Sequence, residues 1–173
     1  MGYAREHTQD LLIFHSSGFD CAFPLEAVRE IVPMAQLSSP PCMPPVLAGF
    51  LDLRGTAIPI VRMDRLLDLP EQAAGLHTPM IVLRGALSPI GILVDSVRGI
   101  VTVTSAQMLD IPENRTFQGC AKAAIELDGD VIHLLSAAAL LNSNEDRMLA
   151  DYSAISRARL MQLSPTPMAK ETP

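Results

Sequence analysis

Few of the residues able to do chemistry stand at a spacing that lets them act together. The four histidines, His7, His15, His77 and His133, are scattered, and none falls in a His-x-x-x-His or His-Glu-x-x-His pattern, so a metal centre is poorly supported. No Gly-x-Ser-x-Gly segment sets a serine on a strained elbow beside a base, and no Walker-type or Gly-x-Gly-x-x-Gly loop is there to cradle a phosphate. Cys21, Cys42 and Cys120 are odd in number and far apart, which suits small apolar fillers in a reducing compartment better than a disulfide framework or a zinc site. What remains is recognition by charge. Arg54 and Gly55 join two strand-like apolar runs, Val46 to Leu53 and Ala57 to Met63, so a tight turn at Gly55 would hold the Arg54 guanidinium outward at a corner, where it suits a partner's carboxylate. On hairpin grounds alone, Arg54 is equally a solvated turn residue. Glu30 is open to solvation, to pairing with Arg29 or Arg54, or to a partner, while Val28 fits a core or an apolar interface. Asp95 reads as a turn-initiating side chain.

The elements that must position these residues are strands. Hydrophobic residues make up 49% of the 173-residue chain and aromatics only 4%, with no Trp, so one aliphatic core large enough to fold without metals or disulfides is expected. A net charge of −6 disfavours nucleic acid as a partner, since such proteins gather Lys and Arg against phosphates. No apolar run reaches the length of a membrane span or of a leader, which points to a cytoplasmic protein with no direct membrane insertion. Residues 11–15 and 19–25 read as a hairpin about Ser16-Ser17-Gly18. For residues 26–32 periodicity leaves helix and strand both open, although Pro33 prevents a long helix. Residues 38–45, with four prolines, form a stiff loop, and residues 63–69 form a short helix ended by Pro70.

The second half, residues 78–142, repeats the first, residues 10–70, in outline. Thr78 to Leu83 and Ile90 to Val94 form a hairpin; Val97-Arg98-Gly99-Ile100-Val101 then aligns with Val28-Arg29-Glu30-Ile31-Val32 at a spacing of about 70 residues. Gly119 answers Gly49, Asp128-Gly129-Asp130 signals a hairpin, and Val131 to Leu135 with a helix-like Ala137 to Leu141 answers Ile58 to Val61 and the helix after it. A C-terminal helix over 143–163 and a disordered, proline-bearing tail over 164–173 complete the expectation, outside a domain spanning 8–142.

Four motifs in order resemble the CheW-like domains, the chemotaxis coupling proteins. They are Val28-Arg29-Glu30-Ile31, Leu53-Arg54-Gly55 with its following Ile58-Pro59, Gly91-Ile92-Leu93-Val94-Asp95-Ser96-Val97, and the late Gly119 to Leu135 segment. Ser136 departs from the pattern, standing where such domains commonly place Asp. The resemblance implies an all-β fold of two five-stranded, SH3-like β-barrel subdomains around a shared core, which need not coincide with the sequence halves. It also implies a non-catalytic adaptor without cofactors, coupling a chemoreceptor's cytoplasmic tip to the regulatory domain of a histidine kinase in a membrane-associated array. By position, Val28, Glu30 and Arg54 match residues implicated in that coupling, and Gly49 and Gly91 match glycines that matter to the fold. An alternative of another class is a small-molecule- or oligosaccharide-binding barrel, with or without hydrolytic activity, against which the scarcity of aromatics weighs. A third keeps the adaptor and changes its output from motility to surface sensing.

Overall fold

A computed structural model describes residues 7–71, 73–85, 87–112, 117, 119–140, 151–155, 157–159 and 161–162 of the chain. The first half yields β1 (Thr8–Ser16), β2 (Phe19–Pro24), β3 (Val28–Val32), β4 (Leu47–Leu53), β5 (Thr56–Arg62) and the one-turn helix α1 (Met63–Leu66). The second yields β6 (Met80–Leu83), β7 (Ile90–Leu93), β8 (Ser96–Thr104), the two-residue β9 (Met108–Leu109), β10 (Ala121–Leu127) and β11 (Asp130–Leu135). The fold is all-β, as expected. Residues 26–32 resolve into a 3-10 turn at Leu25–Ala27 followed by the extended β3, whose alternating exposure marks an edge strand. Two expected helices are shorter than read. The one at 63–69 stops at Leu66, before Asp68 turns to φ +54°, and residues 137–140 make a single turn closed by the Ala139 and Leu140 amides on the Ser136 carbonyl.

Strand order is β8-β1-β2-β11-β10-β9 in one sheet and β3-β6-β7-β5-β4 in the other. Neither sheet corresponds to a sequence half. Each takes the leading hairpin of one half and the later strands of the other, joined by the antiparallel pairs β1–β8 and β3–β6 and the parallel pairs β2–β11 and β5–β7. The halves are therefore interlocked, and the two SH3-like barrels form together.

Alternation along the strands divides the core into three. Leu11 and Ile13 fill one barrel with Ala22, Ile125, Ile132 and Leu134, while Met80 and Val82 fill the other with Leu51, Ile58 and Ile60. Their neighbours Leu12, Phe14, Ile81 and Leu83 point the opposite way, into a layer shared by both barrels with Phe23, Phe50, Val61 and Ile92. Strands buried on both faces explain why Met80-Ile81-Val82-Leu83 is an unbroken apolar run. The expected C-terminal helix is present at 151–155, 157–159 and 161–162, and the remainder of 143–163, like the tail 164–173, lies outside the described residues. Tyr152 of that helix packs against the shared layer and donates its hydroxyl to the Cys42 carbonyl at 2.7 Å.

Candidate partner-binding site

Arg54 stands at the β4–β5 turn with φ +54°, followed by Gly55 at φ +81°, the two positive angles that let a two-residue turn follow the twist of its strands. The Gly55 amide donates to Asp52 Oδ1 at 2.8 Å, which fixes the corner. A Cβ at Gly55 would meet nothing within 4 Å, so the backbone and not crowding calls for glycine there. The Arg54 side chain is 77% exposed, and its Nη2 lies 3.4 Å from Glu30 Oε2 on β3. Because β3 and β4 are the two edges of their sheet, this contact crosses the mouth of the barrel. At that length and exposure the pair contributes at most a few tenths of a kcal/mol, so the guanidinium is free to exchange Glu30 for a partner's carboxylate.

The structure thus brings Arg54 and Glu30 together. Glu30 also lies 3.5 Å from the Arg29 Nε, and Ile31, next along β3 and 44% exposed, faces the opposite side of the strand. Val28 lies on the same strand but packs half-buried against the shared layer, away from the Arg54 contact.

The remaining singled-out residues hold backbone. Gly49 has φ +153°, and a Cβ there would sit 2.8 Å from the Leu37 Cβ and 2.9 Å from the Ser38 carbonyl, where Ser38 and Phe50 exchange hydrogen bonds along the edge of β4. Gly91 lies beside Ile60 in the parallel β5–β7 pair, and its missing Cβ makes room for the Ile60 Cδ1. Asp95 Oδ2 accepts from the Ser17 amide at 2.8 Å while the Asp95 amide donates to the His15 carbonyl, so it ties the β1–β2 turn to the β7–β8 connection.

Sequence reasoning missed a charged network at the end of β5 far from that turn. Arg62 donates from Nε and Nη2 to both oxygens of Asp64, at 3.1 and 2.5 Å, and Glu71 lies 3.3 Å from Arg62 and 3.2 Å from Arg65, which also donates to the Pro45 carbonyl. Hydrogen bonding to Asp64 raises the Arg62 pKa above its already high ordinary value, and Arg62 and Asp64 are only 15% and 7% exposed. The signal was Arg62-Met63-Asp64-Arg65, charges interrupting an apolar run where a strand passes into a helix. Cys21, buried beside Asp20, has its thiol pKa pushed up to about 12, chiefly by burial, which suits a filler and not a nucleophile. Among the described residues, no cluster of three or more His, Cys, Asp or Glu is placed to hold a metal ion, and no helix is long and apolar enough to cross a membrane.

Comparison with known proteins bears on the family and the fold. The family model described as a CheW-like domain matches residues 10–145. The chain is 20% identical over 141 residues to the chemotaxis protein CheW of Bacillus subtilis, covering 80% of this chain and 90% of that one. It is 27% identical over 155 residues to a probable chemotaxis protein CheW of Rhizobium etli, covering 84% and 97%. The crystal structure of the scaffolding protein TtCheW from Thermoanaerobacter tengcongensis superposes with a TM-score of 0.74 at 16% identity, covering 80% of this chain and 96% of that one, a likeness of fold.

Proposed function

Since the chain belongs to the CheW-like family, we propose that it is the adaptor that couples a chemoreceptor's cytoplasmic tip to the regulatory domain of a histidine kinase. On this reading it works at the cytoplasmic face of a membrane-associated array, as a non-catalytic protein whose chemistry is complementarity. The observation that carries the reading is the barrel corner. There a rigid turn presents an exposed Arg54, only loosely held by Glu30. An exposed charge on a fixed scaffold, with only a weak internal partner, suits a complementary charge on a docking protein. Val28 supports the edge strand from beneath. Modest affinity at each contact suffices, because linked contacts in an array reinforce one another.

A small-ligand barrel fits less well, since both barrel interiors are filled by Leu, Ile, Val and Met side chains. The reading is tested by titrating the protein against the isolated regulatory domain of the kinase from the same organism, with wild type and Arg54→Glu. Saturable binding that the charge reversal weakens at least tenfold, with an unchanged melting temperature, is expected. Equal binding by both proteins would remove Arg54 from the kinase contact.

A further inference from the structure

A hydrogen bond ties the end of the chain to its first half. Tyr152 of the C-terminal helix donates its hydroxyl to the Cys42 carbonyl, 110 positions away in sequence, while its ring packs against the shared layer. Cys42 lies in the proline loop, residues 38–45, and has φ +62°, a left-handed angle that a residue other than glycine keeps only where its surroundings hold it. The loop lies along β4. Phe50 of β4 faces Pro59 across the hairpin, and its amide and carbonyl exchange hydrogen bonds of 2.8 and 2.9 Å with Ser38 at the start of the loop. Met43 packs against the shared layer, the Leu47 amide donates to the Pro44 carbonyl at 3.0 Å, and Arg65 donates to the Pro45 carbonyl at 2.8 Å. Loop 38–45 is thus a flap over the edge strand β4, fastened at both ends by its own half of the chain and at Cys42 by the far terminus.

The seat of the helix is finely balanced. Ser153, beside Tyr152, is 5% exposed, and its hydroxyl is buried without a hydrogen-bond partner among the described residues. A buried hydroxyl left unpaired costs at least as much as one hydrogen bond contributes, so Ser153 works against the docking that Tyr152 favours. We propose that the C-terminal helix is a releasable strap for loop 38–45. Docked, Tyr152 holds Cys42 in place and the flap covers the edge of β4. Released, Cys42 relaxes from its left-handed angle and the flap lifts, leaving the Phe50 amide and carbonyl unpaired on that edge. Because β4 ends in the Arg54 turn, release loosens the strand that carries the corner. The strap needs no partner to operate, so it stands apart from the adaptor reading.

Amide hydrogen exchange followed by NMR on the full chain tests this, with wild type, Tyr152→Phe and Ser153→Ala compared. The first variant removes the clasping hydroxyl alone, the second the unpaired hydroxyl alone, and melting temperatures confirm that both fold. The Phe50 and Leu47 amides report on the flap, the Ile155 amide on the helix, and the Ile81 amide in the central β6 on unfolding of the whole domain. In wild type, Phe50, Leu47 and Ile155 are expected to exchange through one shared opening, faster than Ile81. Their exchange should quicken about fivefold in Tyr152→Phe and slow about fivefold in Ser153→Ala. The slowing is decisive, since no hydrogen bond joins Ser153 to the loop and it can act on Phe50 only through the helix. Phe50 exchange that stays at the wild-type rate in Ser153→Ala while Ile155 slows would overturn the strap, because flap and helix would then open independently. Phe50 exchanging at the Ile81 rate in all three proteins would overturn it as well, the flap then opening only when the whole domain unfolds. Ile155 exchange unchanged in both variants would also overturn it, since neither hydroxyl would then govern the docking.

Discussion

Gly91→Ala should destabilise the protein through one identifiable methyl group. The backbone at Gly91 is not in the left-handed region, so a side chain is acceptable there on conformational grounds. The obstacle is the Ile60 Cδ1, which occupies the space of the new Cβ. Ile60 is fully buried among Leu51, Ile58, Met80 and Val82, none more than 5% exposed, so the ethyl arm has little room to swing aside. Overpacking of this kind costs about 2 kcal/mol. Ile60→Val deletes the offending methyl and alone costs about 1 kcal/mol as a cavity substitution. In the double variant the alanine Cβ enters the vacated space, so the two losses should fall short of additive by about 1–2 kcal/mol. Urea denaturation of the four proteins, with unchanged slopes, measures the cycle. Additivity within about 0.5 kcal/mol would show that Ile60 is not what requires glycine at position 91.

Further outcomes can be measured with the same methods. Gly55→Ala, in open space, should cost about 1 kcal/mol for its positive φ, whereas Gly49→Ala, which also meets Leu37 and Ser38, should cost about 3 kcal/mol or more in the same denaturation assay. Asp64→Ala strands a largely buried guanidinium and should cost about 3 kcal/mol, the low end for a broken buried pair because Glu71 still reaches Arg62. Thiol labelling at pH 8 should modify exposed Cys42 quickly and spare Cys21, of which roughly one molecule in 10⁴ is thiolate at a pKa of about 12. Because the Cys21 pKa is raised from 9.0 in the fold, the unfolded chain loses that proton first; its contribution to stability is full below pH 9 and is lost as pH rises toward 12, which melting at stepped pH will read.

Much of the fold was legible because strands announce themselves locally. Asp128 and Gly129, like Arg54 and Gly55, wrote their turns in two residues, and both pairs take positive φ. The pairing was not legible. Nothing in Ile90 to Leu93 says that its parallel neighbour is β5, because that contact is set by the shared layer and by Ile60 nesting against Gly91. Hence the two halves could be aligned in sequence while their exchange of strands stayed hidden. At the site, the Arg54 corner followed from turn chemistry, whereas the approach of Glu30 required the sheet to curl. Val28 was ambiguous because a strand lying over a core presents the same residue types to either face. The Arg62–Asp64 pair was visible as charge in an apolar run but needed the strand-to-helix junction to become a bidentate contact.

The most direct measurement of the adaptor role is co-sedimentation of kinase with receptor-bearing membranes, in the presence and absence of this protein. The kinase is expected to pellet with the membranes in proportion to added wild-type protein, and to remain in the supernatant when Arg54→Glu replaces it. Kinase that pellets equally without the protein, or that stays soluble at saturating wild type, would contradict the coupling role.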